Sequence, residues 1–128
     1  MDDDAASDDA RLDPIREAFY DNHALQGPHR AVVLDWLRAY ADRVRAEGRP
    51  RHARVERMRR ANPKYVLRNY LAQLAIDAAA TGDSSVIERL LRVLARPYDD
   101  QPGEDDLAQR RPEWARNRAG CSMLSCSS

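Results

Sequence analysis

The stretch from Asn62 to Gly82 constrains the fold of this chain most, because it predicts one helix with two apolar faces. Asn62-Pro63 is typical of a helix start, with a cap residue followed by proline in the first turn. At about 100° per residue, polar side chains separate two apolar stripes. The wider stripe contains Leu67, Tyr70, Leu71, Leu74 and Ala78, and the opposite stripe contains Tyr65, Ala72, Ile76 and Ala79. A helix of this kind needs neighbours on both sides, so we expect it to be the central helix of the fold.

A second helix completes a predicted hairpin. Ser85 and Glu88 form a capping box, which is typical of a helix start, and the apolar residues that follow lie on one side. Pro97 ends this helix. We therefore expect residues 64–96 to form a helical hairpin with a tight turn. Its predicted core consists of Leu67, Tyr70, Leu71, Leu74, Leu90, Leu91 and Leu94.

The sequence before the hairpin predicts further helices and no strand. Asp13-Pro14 begins a short helix that runs to about Asn22, and residues 29–47 carry the clearest one-sided apolar pattern. Residues 51–61 predict a helix that is mostly solvated. We find no strand-like alternation and no internal repeat. The predicted fold is all-α, a small helical module built from the hairpin and one or two further helices.

Length and composition divide the chain into three predicted regions. Residues 1–11 are acidic and without periodicity, which predicts a disordered lead-in. Residues 12–98 form the helical module, and residues 99–128 are rich in Pro, Gly, Ser and charge, which predicts an extended tail that adds little core. No apolar run approaches the roughly 20 residues that span a bilayer, and the start shows no secretory signal. We therefore expect a soluble cytoplasmic protein without membrane contact.

The charges are balanced in number but not in position. The chain has 21 basic and 21 acidic side chains, and 20 of the basic ones are arginines beside the single lysine, Lys64. Basic residues gather between Arg38 and Arg68, whereas acidic residues gather at both ends. This layout predicts either a polyanionic partner or two ends that fold back onto a basic middle. The nearby aromatic residues fall on apolar helix faces, which favours core positions over base stacking: Trp36, Tyr40, Tyr65 and Tyr70. Nucleic-acid binding is therefore disfavoured, while docking onto another protein stays open.

No catalytic or metal motif is present in the sequence. Phosphate-binding, zinc-protease and nucleophile-elbow motifs are absent, and His23, His29 and His52 lack the spacing of metal ligands. Acidic pairs such as Asp99-Asp100 lie in the predicted tail, where nothing fixes their geometry. We therefore assign no catalytic, cofactor-binding or metal residue to this chain.

Cys121 and Cys126 are the unusual feature of the predicted tail. Small flanking residues predict accessible, mobile thiols, and two sulfurs alone do not make a zinc site. Two interpretations stay open: incidental cysteines, or a redox arm that reaches a partner cysteine elsewhere. A local Cys121–Cys126 bridge is disfavoured because the short loop constrains its geometry.

Three strings taken together resemble one protein family. These are NPKYVLRNYLAQLAI at 62–76, GD at 82–83 with LLRVLARPYDDQP at 90–102, and PEWA at 112–115 with the terminal Cys-Ser-Ser. The combination resembles the C-terminal part of the selenoprotein O (SelO, UPF0061) family of protein adenylyltransferases. The resemblance covers roughly residues 12–128, and some members carry selenocysteine where Cys126 stands here.

The resemblance implies a protein-kinase-like fold that binds ATP with Mg or Mn and transfers AMP to protein hydroxyls. The family's nucleotide-binding lysine, metal ligands and catalytic aspartate lie upstream of the matched region, so none maps onto this chain. Lys64 belongs to the NPKYVLRNY string and is not the ATP lysine. Because members run to several hundred residues, the chain looks like a C-terminal fragment whose partner is the missing kinase-like lobe.

Two hypotheses from different classes follow. In the first, the chain is the helical C-terminal module of a SelO-type adenylyltransferase, with a structural or redox-regulatory role and no activity alone. In the second, it is an Arg-rich helical adaptor that binds nucleic acid or an acidic protein. The first hypothesis also predicts that an apolar face meant for the absent lobe remains exposed.

Overall fold

The computed structural model describes residues 7–121, with the side chain of Asn22 excepted. Within this range the protein has five α-helices, four short 3₁₀ helices and no strand, which confirms the all-α prediction. The α-helices are α1 (Asp8–Leu12), α2 (Gly27–Glu47), α3 (Arg51–Ala61), α4 (Asn69–Ala80) and α5 (Ser85–Leu94). The 3₁₀ helices are Asp13–Ala18, Asn22–Leu25, Asp105–Ala108 and Glu113–Ala115. The chain forms two compact units, residues 1–54 and 55–128.

The first unit is built around α2. Its small core consists of Leu12, Leu25 and Leu34, with four partly buried side chains packed around them: Ile15, Phe19, Val33 and Leu37. The helix α2 begins with the Gly27-Pro28 pair and ends at Gly48, which adopts the left-handed conformation with φ of +59°. Helix α2 thus agrees with the prediction for residues 29–47.

The prediction that residues 1–11 are a disordered lead-in is wrong for residues 8–11, which belong to α1. The Ser7 side chain caps this helix by accepting a hydrogen bond from the Ala10 N–H at 3.3 Å. The two aspartates in its first turn stabilise the helix, because their negative charges interact favourably with the positive end of the helix dipole. Leu12 is fully buried and anchors the helix. Residues 1–6 lie outside the described residues.

The short helix predicted from Asp13-Pro14 to Asn22 is replaced by two 3₁₀ helices with a break between them. The first ends at Ala18, and Phe19 is extended with φ of −102° and ψ of 131°. Phe19 is thereby turned toward the small core, where it packs on buried leucines. Pro14 lies in the first turn, as predicted, but Asp13 is not the cap, because α1 runs directly into this 3₁₀ helix through Leu12, which has helical φ and ψ.

The second unit contains the predicted hairpin. Helices α4 and α5 are joined by a tight turn at residues 81–84, and Gly82 in it has φ of +85°. Their shared core also takes side chains from the segment after the hairpin. The nine buried members are Tyr65, Tyr70, Leu71, Ala75, Leu90, Val93, Leu107, Ala115 and Cys121.

Helix α4 begins at Asn69 and not at Lys64, so the predicted start is wrong by five residues. The backbone N–H groups of Lys64 and Tyr65 both donate to the Pro97 carbonyl, at 2.8 and 3.1 Å. These two hydrogen bonds hold the non-helical residues that precede α4 in place. Tyr65 is buried in the core as a result. Leu67 lies off the helix register and is exposed.

The predicted core is right at Tyr70, Leu71 and Leu90, and Leu94 is partly buried against it. It is wrong at Leu67, Leu74 and Leu91, which are exposed. Their places are taken by Tyr65, Ala75 and Val93 and by residues after the hairpin. The physical reason is that residues 99–121 cover one side of the hairpin and select which apolar side chains are buried.

The prediction that residues 99–128 form an extended tail with little core is therefore wrong for residues 99–121. This segment is irregular apart from two 3₁₀ helices, as its Pro and Gly content predicts. It nevertheless contributes Leu107, Ala115 and Cys121 to the core. Residues 122–128 lie outside the described residues.

Candidate functional site

Residues 99–106, which we call the acidic loop, fold back onto the hairpin through α5. Arg89 donates from Nε to Glu104 at 2.6 Å and forms a two-pronged pair with Asp106 at 2.6 and 3.0 Å. Arg92 adds a second contact to Glu104 at 3.0 Å. A planar guanidinium held by two carboxylates is a geometrically specific contact. The loop is therefore attached to α5 in one register.

Lys64 attaches the same loop to the entry of α4. Its ammonium donates to Asp100 and, at 2.7 Å, to Asp105, and it lies 5.4 Å from the ring centroid of Tyr65. These contacts give the single lysine of this arginine-rich chain a structural role. A compact ammonium on a flexible stem reaches two carboxylates at once.

Gln101 is the one buried polar side chain in the part of the chain that the structure describes. Its amide donates to the carbonyls of Val93 and Arg96, both at 2.9 Å, at the carboxyl end of α5. The Tyr65 hydroxyl meets the Gln101 backbone at 3.2 Å. Gln101 thus satisfies carbonyls that the helix end would otherwise leave unpaired.

These contacts lower the pKa values of three carboxyl groups of the acidic loop, Asp100, Glu104 and Asp106. The Arg89 guanidinium lowers the pKa of both Glu104 and Asp106, and the Lys64 ammonium lowers the pKa of Asp100. Reciprocally, the hydrogen bonds to Asp100 and Asp105 raise the pKa of Lys64. The site is an electrostatic attachment in which each partner keeps the other charged.

The rest of the segment crosses α4. Trp114 meets Tyr70 edge-to-face with ring centroids 6.2 Å apart. Arg118 lies over the Trp114 ring at 5.8 Å and pairs with Asp77 at 2.6 Å. Asp77 also accepts from Gln73 at 2.9 Å, and these two contacts lower its pKa. One side of α4 is therefore covered from its first turn to its third.

Cys121 is buried in the core at the end of this crossing, with its thiol free. The prediction of an accessible, mobile thiol is wrong for Cys121, because the packing of residues 107–121 on α4 encloses it. Cys126 lies outside the described residues, and its assignment as a redox residue stays a prediction.

Other candidates from the sequence are not brought together. Within residues 7–121 no group of three or more His, Cys, Asp or Glu side chains could hold a metal ion. His23, His29 and His52 are exposed on separate elements. A cavity of about 510 Å³ lies beside Arg59, Lys64 and Asp100. Its lysine is paired with the carboxylates of Asp100 and Asp105.

Several basic residues between Arg38 and Arg68 pair with acidic groups of the same unit: Arg38, Arg43, Arg45, Arg60 and Lys64. In the first unit Asp9 pairs with Arg30 at 3.0 Å and Asp8 with Arg38 at 3.2 Å. In the second unit the acidic loop pairs with Lys64. Asp8 and the acidic loop thus each reach a member of the basic middle, as one of the two sequence interpretations predicted, whereas Arg30, Arg89 and Arg92 pair with acidic groups from outside that stretch.

The prediction of core positions for the four aromatic residues is right for two of them and wrong for the other two. Tyr65 and Tyr70 are buried, as predicted, but Trp36 and Tyr40 are exposed, and their rings stack 5.7 Å apart at 14°. Val32, one turn before Trp36, is exposed as well. The three residues follow one another at a spacing of four and form an apolar stripe on the outer side of α2.

This chain is similar over most of its length to part of several longer proteins. A protein named protein nucleotidyltransferase YdiU from Nitrosospira multiformis is 57% identical over 126 residues, which cover 98% of this chain. Proteins of the same name from Xanthomonas axonopodis pv. citri and Rhodopirellula baltica are 58% and 54% identical over 89% and 93% of the chain. No protein-family model matches.

The chain spans only about 22–23% of the length of these relatives and matches their C-terminal part. Among the described helices, none has the length and apolar character needed to cross a membrane.

Neither the acidic loop nor the buried glutamine was predicted from the sequence. The charge asymmetry was the one signal that pointed to the loop.

Proposed function

Because this chain belongs to the UPF0061 family of proteins named protein nucleotidyltransferase YdiU, as the C-terminal part, we propose that it is the helical C-terminal module of a SelO-type protein adenylyltransferase. The whole protein would transfer AMP from ATP to protein hydroxyls. The observation that carries the proposal is 57% identity over 98% of this chain to a relative of which it spans 22%.

In this proposal the module has a structural role and the upstream part performs the chemistry. The described residues include no group that fits a metal ion, and the lysine is engaged by the acidic loop. ATP and its Mg or Mn would therefore be bound by residues of the kinase-like lobe. The module would stabilise that lobe by covering apolar surface.

A redox role would belong to Cys126, as an extension of this proposal. The buried Cys121 is poorly placed to attack or to be attacked. We propose that Cys126 and a cysteine of the upstream part are oxidised together to a disulfide, with a small disulfide such as oxidised glutathione accepting the two electrons and two protons. Mass spectrometry of the full-length relative, purified without reductant, should identify that linkage, and finding Cys126 only as a free thiol would contradict it.

The adaptor alternative has less support. The arginines that would bind a polyanion include Arg38 and Arg45, which pair with carboxylates at 3.0 Å and 2.5 Å on α2 itself. Binding a polyanion through these two arginines would break those ion pairs. The exposed Trp36 and Tyr40 favour contact with another surface. Their rings stack on each other, however, so they do not offer two separate platforms on which bases could stack.

The test uses three versions of the Nitrosospira multiformis relative: the full-length protein, one without the region that matches this chain, and one in which this chain replaces that region. We expect the shortened version to melt at a lower temperature and to transfer less AMP from radiolabelled ATP to protein. The chimeric version should recover both. Unchanged transfer and melting in the shortened version would contradict the proposal.

A further inference from the structure

The segment 99–121 covers one side of the α4–α5 hairpin. On α4 it contacts Tyr70 and Asp77 through Trp114 and Arg118. On α5 the acidic loop contacts Arg89, and Gln101 contacts the Val93 carbonyl. The shared core lies between these contacts, so the segment 99–121 already occupies this side of the hairpin.

The opposite side of the hairpin carries apolar residues that stay exposed or half-buried within the part of the unit that the structure describes. At about 100° per residue, Ala72, Ile76 and Ala79 lie together on the side of α4 away from Tyr70 and Asp77. On α5, Ile87 and Leu91 lie away from Arg89 and Val93 by the same spacing. Because the two helices are antiparallel and one segment covers both on one side, the two remaining sides face the same way.

These residues form one face, which we call the open hairpin face: Ala72, Ile76, Ala79, Ile87 and Leu91. Ile76 is 60% exposed and Leu91 is 68% exposed. Of the whole chain 33% is charged, yet only Glu88 borders this face on the helical wheel of α5. An uncharged face of this kind on a highly charged chain is typical of a surface that binds an apolar partner.

We propose that the open hairpin face is the surface by which the module docks onto the upstream part of the full-length protein, an inference that rests on the proposed function. The occupant is an apolar surface of that upstream part. The relatives have more than three quarters of their length outside the region that matches this chain, so such a surface is covalently attached and present at high local concentration.

The two-striped pattern of α4 supports the same conclusion. Within α4, the wider stripe is buried at Tyr70 and Leu71 and the opposite stripe is exposed at Ile76, whereas Tyr65 precedes the helix and is buried. The alanines beside Ile76 allow close approach of a packed element. A helix that carries apolar residues on both sides is a buried helix in the complete protein.

The first measurement compares side-chain exposure in two proteins, this chain alone and the chimera of the Nitrosospira multiformis relative that carries it. Hydroxyl-radical footprinting with mass spectrometry reports the oxidation rate of each side chain. We expect Ile76 and Leu91 to be oxidised about fivefold more slowly in the chimera, as for residues in an interface core. Equal rates in the two proteins would overturn the proposal.

The second measurement uses the double variant Ile76→Asp/Leu91→Asp. In the chain alone both positions are exposed, so its melting temperature should stay close to that of the unmodified chain. In the chimera, limited proteolysis should cleave the module of the double variant about tenfold faster than that of the unmodified chimera, because two charges would be buried against apolar surface. Met58→Asp, an exposed apolar position on α3, is the matched control and should change neither value.

The remaining outcomes separate this inference from the proposed function. If the chimera transfers AMP but the double variant behaves like the control, the docking surface is wrong while the function holds. If Ile76 and Leu91 are protected but transfer is not recovered, the docking surface holds and the function fails. If sedimentation shows that the chain alone is a dimer, and that the double variant is a monomer without effect in the chimera, the face binds a second copy and the proposal is overturned.

Discussion

Leu71 and Leu91 have the same side chain in neighbouring helices of the second unit but opposite environments. Leu71 is 4% exposed in the core, whereas Leu91 is on the open hairpin face. We expect Leu71→Asp to unfold the unit, because an unpaired buried charge costs several kcal/mol, as much as the stability of a small domain. Leu91→Asp should change stability by only about 0.5 kcal/mol.

Circular dichroism melting of both variants checks this prediction, and each serves as the control for the other. A melting curve unchanged by Leu71→Asp would show that the core has been assigned wrongly. A large loss in Leu91→Asp would show that the open hairpin face is already covered within this chain.

Gly120 ends the segment that crosses α4, in a conformation that favours glycine, with φ of +81°. A Cβ added there would meet Gln73 Oε1 well inside van der Waals contact. Gln73 would have to move away from its hydrogen bond to Asp77. We expect Gly120→Ala to cost about 1–2 kcal/mol, the sum of backbone strain and displacement of Gln73.

Gly82→Ala is the matched control for Gly120→Ala. Gly82 has nearly the same φ, +85°, but no atom lies within 4 Å of the added Cβ. Its cost should therefore come from the backbone conformation alone and be the smaller of the two. Urea denaturation midpoints compare the variants, and equal costs would mean that the contact with Gln73 has no energetic effect.

The two cysteines should differ in reactivity. Cys121 is buried, and the sequence around Cys126 predicts an accessible thiol. We expect one thiol per native chain to react quickly with a disulfide reagent and the second only after denaturation. Cys126→Ser should remove the fast phase, and Cys121→Ser should leave it. Two equally fast thiols in the native chain would contradict this assignment.

At the scale of elements, the attachment of the acidic loop predicts a pH dependence. The pKa values of Asp100, Glu104 and Asp106 are lowered by their basic partners. Their contribution to stability is therefore complete above the ordinary carboxyl pKa of about 4 and is lost as the pH falls through the lower folded values. We expect the free energy of unfolding to decrease from about pH 4 downward.

Arg89→Gln should reduce this acid-dependent loss, since it removes the shared partner of Glu104 and Asp106. Arg43→Gln is the control, because Arg43 forms only a 3.6 Å exposed pair with Glu47 and such pairs contribute little. Chemical denaturation from pH 7 to pH 2 measures both. The same pH dependence in Arg89→Gln and in the unmodified chain would rule out the acidic loop as its origin.

The helices were predicted well where local signals set their ends. Gly48 ends α2 in the left-handed conformation, and Ser85 and Pro97 lie close to the limits of α5. The start of α4 was missed because Asn62-Pro63 is a genuine helix-start signal that a distant contact overrides. Lys64 and Tyr65 donate to the Pro97 carbonyl, more than 30 residues away in the sequence, and no local pattern contains that contact.

At the scale of the whole molecule, the candidate site was less predictable than the fold. The contacts of Lys64 with Asp105 and of Arg118 with Asp77 both join residues that are 41 positions apart. The composition of residues 99–121 resembles that of a solvated tail, because its apolar residues are few and widely spaced. Only their burial against the hairpin distinguishes this segment from a tail.

The division of labour between module and upstream part predicts that this chain alone does not bind ATP. Its described residues offer no metal ligand set, and its lysine is paired with carboxylates. Isothermal titration of the chain with Mg-ATP should show no binding heat, and the full-length relative under the same conditions is the positive control. Low-micromolar binding by the chain alone would contradict the prediction.

The long-range attachment of residues 99–121 also has a consequence for protein synthesis. The hairpin leaves the ribosome before the segment that completes its core, so the side that this segment covers stays open until Cys121 has been made. A nonsense mutation between residues 99 and 121 would therefore release a hairpin whose core is open on that side. Such a product exposes hydrophobic surface and is a target for aggregation and proteolysis. Late nonsense mutations should thus remove the whole polypeptide from the cell, even though they spare every helix longer than one turn.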